Sequence, residues 1–279
     1  MKYLVLLVML LAGEVYAQPA LNFDKRFVQS EDKWVAFKPD KDSAYPYGFI
    51  YIDPQAGLTL NYEGTFKVLP SGKFVPERLD SSNLKVRLEP NNVLVAFIPE
   101  SKFGELEILP IPAWLQSYKT DTASVERLYR WGYMYNGWNE CAKALTYLEK
   151  AEKLNPKFNG LAVELSFSYN CLEQYDKAEA ILEEEIKSNP TNAYVNKEYV
   201  YTLAKTNKID KAIAQFERSI ATLKDKQYDA ENCYNILQYF YAKKDKAGFN
   251  KWYEILQQQP NENPTLTKYA ENMKNDINR

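Results

Sequence analysis

Hydrophobic and polar residues alternate with a period of two in the first part of the chain. Residues 58–63 read LTLNYE and residues 84–89 read LKVRLE, so apolar side chains occupy every second position. This alternation is typical of strands with one buried face and one solvent face. Residues 93–98, VLVAFI, are apolar on both faces, as in a central strand. The pattern predicts about six strands over residues 22–110.

Short segments rich in turn-forming residues separate these strands. They lie at residues 53–57, 70–72 and 91–92. Connections this short suit antiparallel hairpins, whereas parallel strands need long crossovers. We therefore expect an antiparallel β-sandwich or open barrel over residues 18–112. Residues 113–124 are predicted to be a linker to the second part of the chain.

After residue 125 the spacing of apolar residues becomes helical and repeats every 34 residues. The copies match at Ala144, Leu148, Ala151 and Pro156; at Ala178, Leu182, Glu185 and Pro190; and at Ala212, Phe216 and Ser219. A looser fourth copy begins near residue 229. The small residues at the alanine positions let two helices approach closely, and each proline ends the second helix of a unit.

This spacing resembles that of the tetratricopeptide repeat (TPR) family, whose unit is a helix-turn-helix of 34 residues. The resemblance covers residues 125–260 and implies about four repeats, at 125–158, 159–192, 193–226 and 229–262. One unit cannot bury its apolar face alone, so the repeats stack and need a cap, which residues 263–279 fit. The predicted fold class is α+β with two domains: the β domain, then an all-α TPR-like solenoid.

The resemblance also implies a binding site, because TPR arrays bind extended peptides or helices in a concave groove lined by the first helix of each unit. The corresponding positions here are Tyr129, Tyr133, Asn136, Val163, Phe167, Asn170, Lys197, Tyr201 and Lys205. We expect a row of rings at Tyr133, Phe167 and Tyr201. We also expect the amides of Asn136 and Asn170 to pair with a peptide backbone. Packing between adjacent repeats is the alternative for both sets.

Two of the predicted groove residues are lysines, which bear on the charge of the expected ligand. Lys197 and Lys205 would favour an acidic segment. TPR proteins that clamp a C-terminal carboxylate carry lysine and asparagine where this chain has Tyr129 and Tyr133. A carboxylate clamp of that kind is therefore not expected.

The first residues are predicted to be a secretory signal peptide. Lys2 is followed by ten apolar residues at 3–12 and then by a Val-x-Ala cleavage pattern that ends at Ala17. We expect cleavage after Ala17, no transmembrane segment in the mature chain, and export to the periplasm or the medium. The alternative is a buried N-terminal helix.

Composition removes several kinds of chemistry. The 279 residues include no histidine, which excludes Ser-His-Asp and Cys-His nucleophile systems and imidazole metal sites. A net charge of −2 gives no overall positive field for nucleic acid. We expect no metal and no cofactor. Cys141, Cys171 and Cys233 are interpreted as small apolar residues inside helices, with a single disulfide as the alternative.

These observations favour a binder over a catalyst. Tyrosine, at 22 residues, joins a rigid apolar body to a polar tip and is common at interfaces. The leading hypothesis is a non-enzymatic adaptor that holds a protein or peptide partner. A second is a carbohydrate-binding or surface-attachment protein acting through the β domain, whose candidate aromatic residues are Tyr45, Tyr47, Phe49 and Tyr51. A carboxylate-dependent hydrolase is a weaker third.

Overall fold

The computed structural model describes residues 21–39, 41–78, 84–260 and 263–278. The predicted signal peptide, residues 1–17, lies outside these ranges. The chain divides into two compact units, with the boundary between Thr120 and Asp121. In the described part of the chain, no helix combines the length and apolar character needed to cross a bilayer.

The first unit is built on one open antiparallel sheet. Its described strands are β1 (Lys25–Arg26), β2 (Lys33–Ala36), β3 (Tyr45–Asp53), β4 (Gly57–Val68), β5 (Phe74–Arg78), β6 (Leu84–Arg87) and β7 (Leu94–Phe97). The strand order is β1-β7-β2-β3-β4-β5, and β6 also pairs with β4. The described part thus has seven strands, one more than expected, because β1 is too short to show a pattern in the sequence.

The core of this unit is aromatic. Tyr47, Phe49 and Tyr51 of β3 are fully buried, and Tyr47 packs edge-on against Phe66. Residues 113–118, expected in the linker, form a 3₁₀ helix, and the ring centroid of Trp114 lies 5.0 Å from that of Tyr51. Tyr47, Phe49 and Tyr51 are therefore core residues and present no surface to a glycan, whereas Tyr45, the fourth candidate, is half-buried and stacks on Phe66.

The second unit consists of helix pairs. Its described helices are α1 (Val125–Gly137), α2 (Cys141–Leu154), α3 (Leu161–Cys171), α4 (Tyr175–Ser188), α5 (Ala193–Lys205), α6 (Ile209–Thr222), α7 (Asp229–Ala242), α8 (Lys246–Gln257) and α9 (Pro264–Ile277). Helices α1 to α8 form four antiparallel pairs, and α9 packs on α7 and α8. The two-domain α+β class and the TPR-like array are confirmed.

The turn inside each pair explains the period. Asn139, Glu173 and Asn207 have φ angles of 57°, 58° and 61° and follow one another at intervals of 34 residues. A left-handed residue at this place ends the first helix and reverses the chain. In the fourth pair the equivalent residue is Lys244, with φ 56°, which comes 37 residues after Asn207. This shift is why the last copy matches the sequence pattern poorly.

A small and a large residue recur at the same two positions of the second helix in the first three pairs, as the repeat pattern predicts. Ala144, Ala178 and Ala212 are fully buried beside the large residues Leu148, Leu182 and Phe216. A Cβ atom added to Gly132 of α1 would lie 2.3 Å from Cγ of Leu148 in α2. Glycine is required there because the two helices touch.

A disulfide joins the first two helix pairs. Cys141 at the start of α2 is bonded to Cys171 at the end of α3. Cys233 is a buried free thiol, and burial raises its pKa. The interpretation of the cysteines as small apolar residues is therefore wrong for Cys141 and Cys171, and the alternative of one disulfide holds.

Candidate binding face

The first helices of the pairs pack side by side, α1 on α3, α3 on α5 and α5 on α7. They form a continuous layer. We use the term inner face for the surface of this layer that points away from the second helices. Its side chains are Tyr129, Tyr133, Phe167, Tyr194, Lys197, Tyr201, Tyr228 and Glu231. Within one helix these residues are three or four positions apart, so the helical period of 3.6 residues places them on the same side.

Rings from several first helices lie near one another on this layer. Tyr133 belongs to α1, and it acts electrostatically on Tyr194 of α5 and on Tyr228 at the start of α7. The ring centroids of Tyr194 and Tyr228 lie 5.8 Å apart. The rings of four repeats thus converge at one place.

Lys197 lies where these rings come together, and its ammonium already contacts carboxylates of the same chain. Its ammonium is 2.7 Å from Oε1 of Glu198 and 3.2 Å from Oε1 of Glu231. It also lies over the rings of Phe167, Tyr194 and Tyr228 at 5.2–5.7 Å. Burial by itself would lower the pKa of Lys197, but the two carboxylates raise it. This lysine is therefore engaged within the chain.

Glu164 lies beneath the rings, with 2% of its surface exposed. The side-chain amide of Asn136 donates to its Oε2 at 2.8 Å. Burial raises the pKa of Glu164 to about 7; the nearby charge of Glu198 adds to the rise, while the hydrogen bond from Asn136 and the charge of Lys197 oppose it. The carboxyl group therefore changes its charge near neutral pH.

Asn136 and Asn170 are used inside the array. Asn136 donates to Glu164 and accepts from the hydroxyl of Ser168 at 2.6 Å. One repeat later, Asn170 donates to Glu198 at 2.9 Å and accepts from Thr202 at 2.9 Å. Both amides are buried and join one helix pair to the next. They do not belong to the surface that a partner would contact.

The third junction lacks this arrangement. The equivalent positions hold Ala204, Asn232 and Ile236, which cannot form the same bonds. Oδ1 of Asn232 is buried without a hydrogen-bond partner among the described residues. The polar joint is thus a property of the first three repeats.

The remaining predicted residues divide between two places. Val163 is buried, whereas Tyr129 is half-buried, with its ring centroid 5.1 Å from that of Phe158. Burial raises the pKa of Tyr129 to about 12, and the charge of Glu164 adds to it. Its hydroxyl has room because residue 160 is glycine, whose φ is +82° and whose added Cβ would lie 2.6 Å from that oxygen.

Tyr201 and Lys205 lie toward the other end of α5. Tyr201 packs on Tyr175, at 6.5 Å between centroids, and the ammonium of Lys205 lies 5.3 Å from the ring of Tyr201. Lys205 lines an open surface pocket with a volume of about 540 Å³. In the 34-residue frame the equivalent of Asn170 is Ala204, whereas Lys205 is the equivalent of Cys171. Tyr175 and Lys205 hold the places that the disulfide occupies in the preceding repeat.

Sequence reasoning missed five residues of this cluster: Glu164, Tyr194, Glu198, Tyr228 and Glu231. Four of the five could have been found from their spacing in the sequence. Glu164 and Glu198 are 34 residues apart, and so are Tyr194 and Tyr228. A search for polar and aromatic residues that repeat at the helical-pair period would have found them. Among the residues described, no group of three or more potential ligands could hold a metal ion.

The similarity of this chain to known proteins is confined to solved structures. No family model matches the chain, and no curated protein matches it. A solved structure of MamA (MSR-1) is 21% identical over 51% of this chain and 82% of its own, with a TM-score of 0.41. YrrB, described as a TPR protein with an unusual peptide-binding site, is 19% identical over 55% and 76%, with a TM-score of 0.43. A TPR protein from Parabacteroides merdae ATCC 43184 is 13% identical over 64% and 63%, with a TM-score of 0.45.

Proposed function

We propose that this chain is an exported, non-enzymatic interaction module whose inner face binds an extended segment of a partner protein. The observation that carries the proposal is the exposure of Tyr133. Its side chain is 58% exposed at the place where rings from α1, α5 and α7 converge. An exposed tyrosine in a ring-lined surface offers a large contact area with little side-chain entropy to lose on binding.

Binding suits this face better than catalysis. Glu164, Glu198 and Lys197 are buried or nearly so, and each is held by neighbours of the same chain. A general acid or base has to reach a substrate proton. Glu164, Glu198 and Lys197 therefore stabilise the packing under the inner face. The exposed Tyr133 and Glu231 contact the partner.

Export is supported by the disulfide between Cys141 and Cys171. Such bonds persist in oxidising compartments and are rare in a reducing cytosol. The predicted signal peptide agrees with this location. Intact mass measurement of the chain isolated from its own cells tests the proposal. We expect a chain that begins at Gln18 and has lost two hydrogens to the disulfide, whereas a reduced chain that begins at Met1 would contradict export.

The binding face can be tested by photo-crosslinking. A benzophenone side chain replaces Tyr133 in the full-length protein, and in a matched control it replaces Tyr269 of α9, which is 53% exposed. We expect a discrete higher-mass adduct from position 133 in the native cells. No adduct from position 133, or the same adduct in equal yield from position 269, would contradict the proposal.

A further inference from the structure

The charges around the converging rings are unequal. Among the described residues, the charged groups that act most strongly on Tyr194 and Tyr228 are the carboxylates of Glu164, Glu198, Glu231 and Asp225 and the ammonium of Lys197. Of these, Glu198 and Glu231 both contact the ammonium of Lys197, so two carboxylates meet one ammonium there. The excess of negative charge remains when Glu164 is protonated.

The negative charges also affect the pKa values of the hydroxyl groups of Tyr194 and Tyr228. Burial raises the pKa of Tyr194, and the charges of Glu164 and Glu198 raise it further. Tyr228 shows the same direction, with burial first, although Lys197 acts against the rise. A carboxylate-rich environment of low polarity attracts a cation more strongly than the same charges would in water.

Lys197 shows how a cation fits this environment. Its ammonium lies over three rings and contacts two carboxylates, a combination of cation–π and ionic contacts. Lys197 occupies the buried part of the cluster. On the same face, Tyr133 is exposed, and the side chain of Glu231, which contacts Lys197, is 43% exposed. A ring and a carboxylate of the same kind therefore remain accessible next to Tyr228.

We infer that the partner segment carries a lysine or arginine side chain, which binds beside Tyr228 between the ring of Tyr133 and the carboxylate of Glu231. This inference rests on the proposed function and specifies its ligand. An acidic segment would meet the excess of carboxylates. Lys205, which the sequence suggested as an attraction for acids, lies eight residues beyond Lys197, about 12 Å along α5.

A displayed library of random dodecapeptides tests this inference on the full-length disulfide-bonded protein. Peptides are selected on the wild type and sequenced, and the affinities of the best are measured for variants. Glu231→Gln removes the accessible charge with little change of shape, and it leaves Lys197 its contact with Glu198. Glu217→Gln makes the same change on the exposed surface of α6 and is the matched control. Thermal melts verify that both variants are folded.

We expect selected peptides to contain lysine or arginine at least twofold more often than the library. Glu231→Gln should weaken their binding roughly fivefold or more, and Glu217→Gln by less than twofold. Raising the NaCl concentration should weaken binding to the wild type. Selected peptides that depend on Tyr133 but show no basic enrichment, or that ignore Glu231→Gln, would overturn the inference and leave the proposed function standing. If Tyr133→Ala weakens none of them, or no peptide is selected, both fail.

Discussion

The side-chain amide of Asn136 donates a hydrogen bond to Glu164 across the junction between the first two helix pairs, at 2.8 Å. Asn170 and Glu198 repeat this contact at the next junction. Both carboxylates are buried, where a charged or polar group without a partner is costly. The same amide–carboxylate joint therefore sets the register of three repeats and supports the floor of the inner face.

Removing one amide tests this joint. Asn170→Ala leaves the buried Glu198 without its amide donor and takes from Thr202 one of its two acceptors, so we expect a loss of roughly 2–3 kcal/mol in the free energy of unfolding. Urea unfolding followed by far-UV circular dichroism measures it. Asn250→Ala, an exposed position on α8, is the control and should change stability by less than about 0.5 kcal/mol. Equal effects at the two positions would contradict the structural role of Asn170.

The titration of Glu164 should make the helical unit less stable as the pH rises. Its pKa is raised from 4.5 to about 7 in the folded protein, so the folded state keeps a proton that the unfolded state releases between these values. The resulting stabilisation is complete below pH 4.5 and is lost as the pH rises through 7, a change on the order of 3 kcal/mol. Urea unfolding at several pH values between 4.5 and 8 measures it.

Glu164→Gln separates this effect from other titrations. Glutamine keeps a hydrogen-bonding side chain of similar size and does not titrate, so the variant should lose the decline between pH 4.5 and 7. Glu152→Gln, on the exposed surface of α2, should keep it. An unchanged decline in Glu164→Gln would show that another group is responsible.

The disulfide should contribute measurably to stability. It closes a loop between residues 30 positions apart, and a loop of this length corresponds to about 3–4 kcal/mol. We expect the double variant Cys141→Ala/Cys171→Ala to be destabilised by that amount, and a reductant to destabilise the wild type but not the variant. Thiol labelling of the unfolded, unreduced wild type should find one free cysteine, Cys233. A count of three would show that the bond does not form.

The contact between Gly132 and Leu148 predicts a specific sensitivity to added volume. Gly132→Ala places a Cβ atom against the Leu148 side chain, and we expect a loss of roughly 1–3 kcal/mol because two helices must separate. Gly137→Ala in the same helix adds a methyl group with no neighbour within 4 Å and should be neutral or slightly stabilising. Thermal melts compare the two. Equal tolerance would mean that α1 and α2 do not touch at this point.

Much of the helical unit could be predicted from sequence because its packing recurs at a fixed spacing. Ala144 and Leu148 have equivalents 34 and 68 residues later, and all of them are buried. The fourth pair was harder to align because Lys244 comes three residues late, which moves α8 out of the frame. Local insertions in a turn leave the fold intact but hide the period.

The site was less predictable, because spacing does not reveal which way a polar side chain points. Asn136 and Asn170 occupy groove positions in the frame, yet both form hydrogen bonds to buried glutamates of the next repeat. The disulfide depends on the approach of two helix ends from different pairs, which spacing in the sequence does not give. Glu231 could be identified only from its contact with Lys197 of the preceding helix pair.

The most direct test of the central proposal is the affinity of the cross-linked partner, once purified, for two tyrosine variants. Tyr133→Ala removes an exposed ring from the inner face, and Tyr269→Ala removes a similarly exposed ring from α9. By calorimetric titration, we predict a loss of affinity of roughly tenfold or more for Tyr133→Ala and less than twofold for Tyr269→Ala. Equal affinities of the two variants for the partner would contradict binding at the inner face.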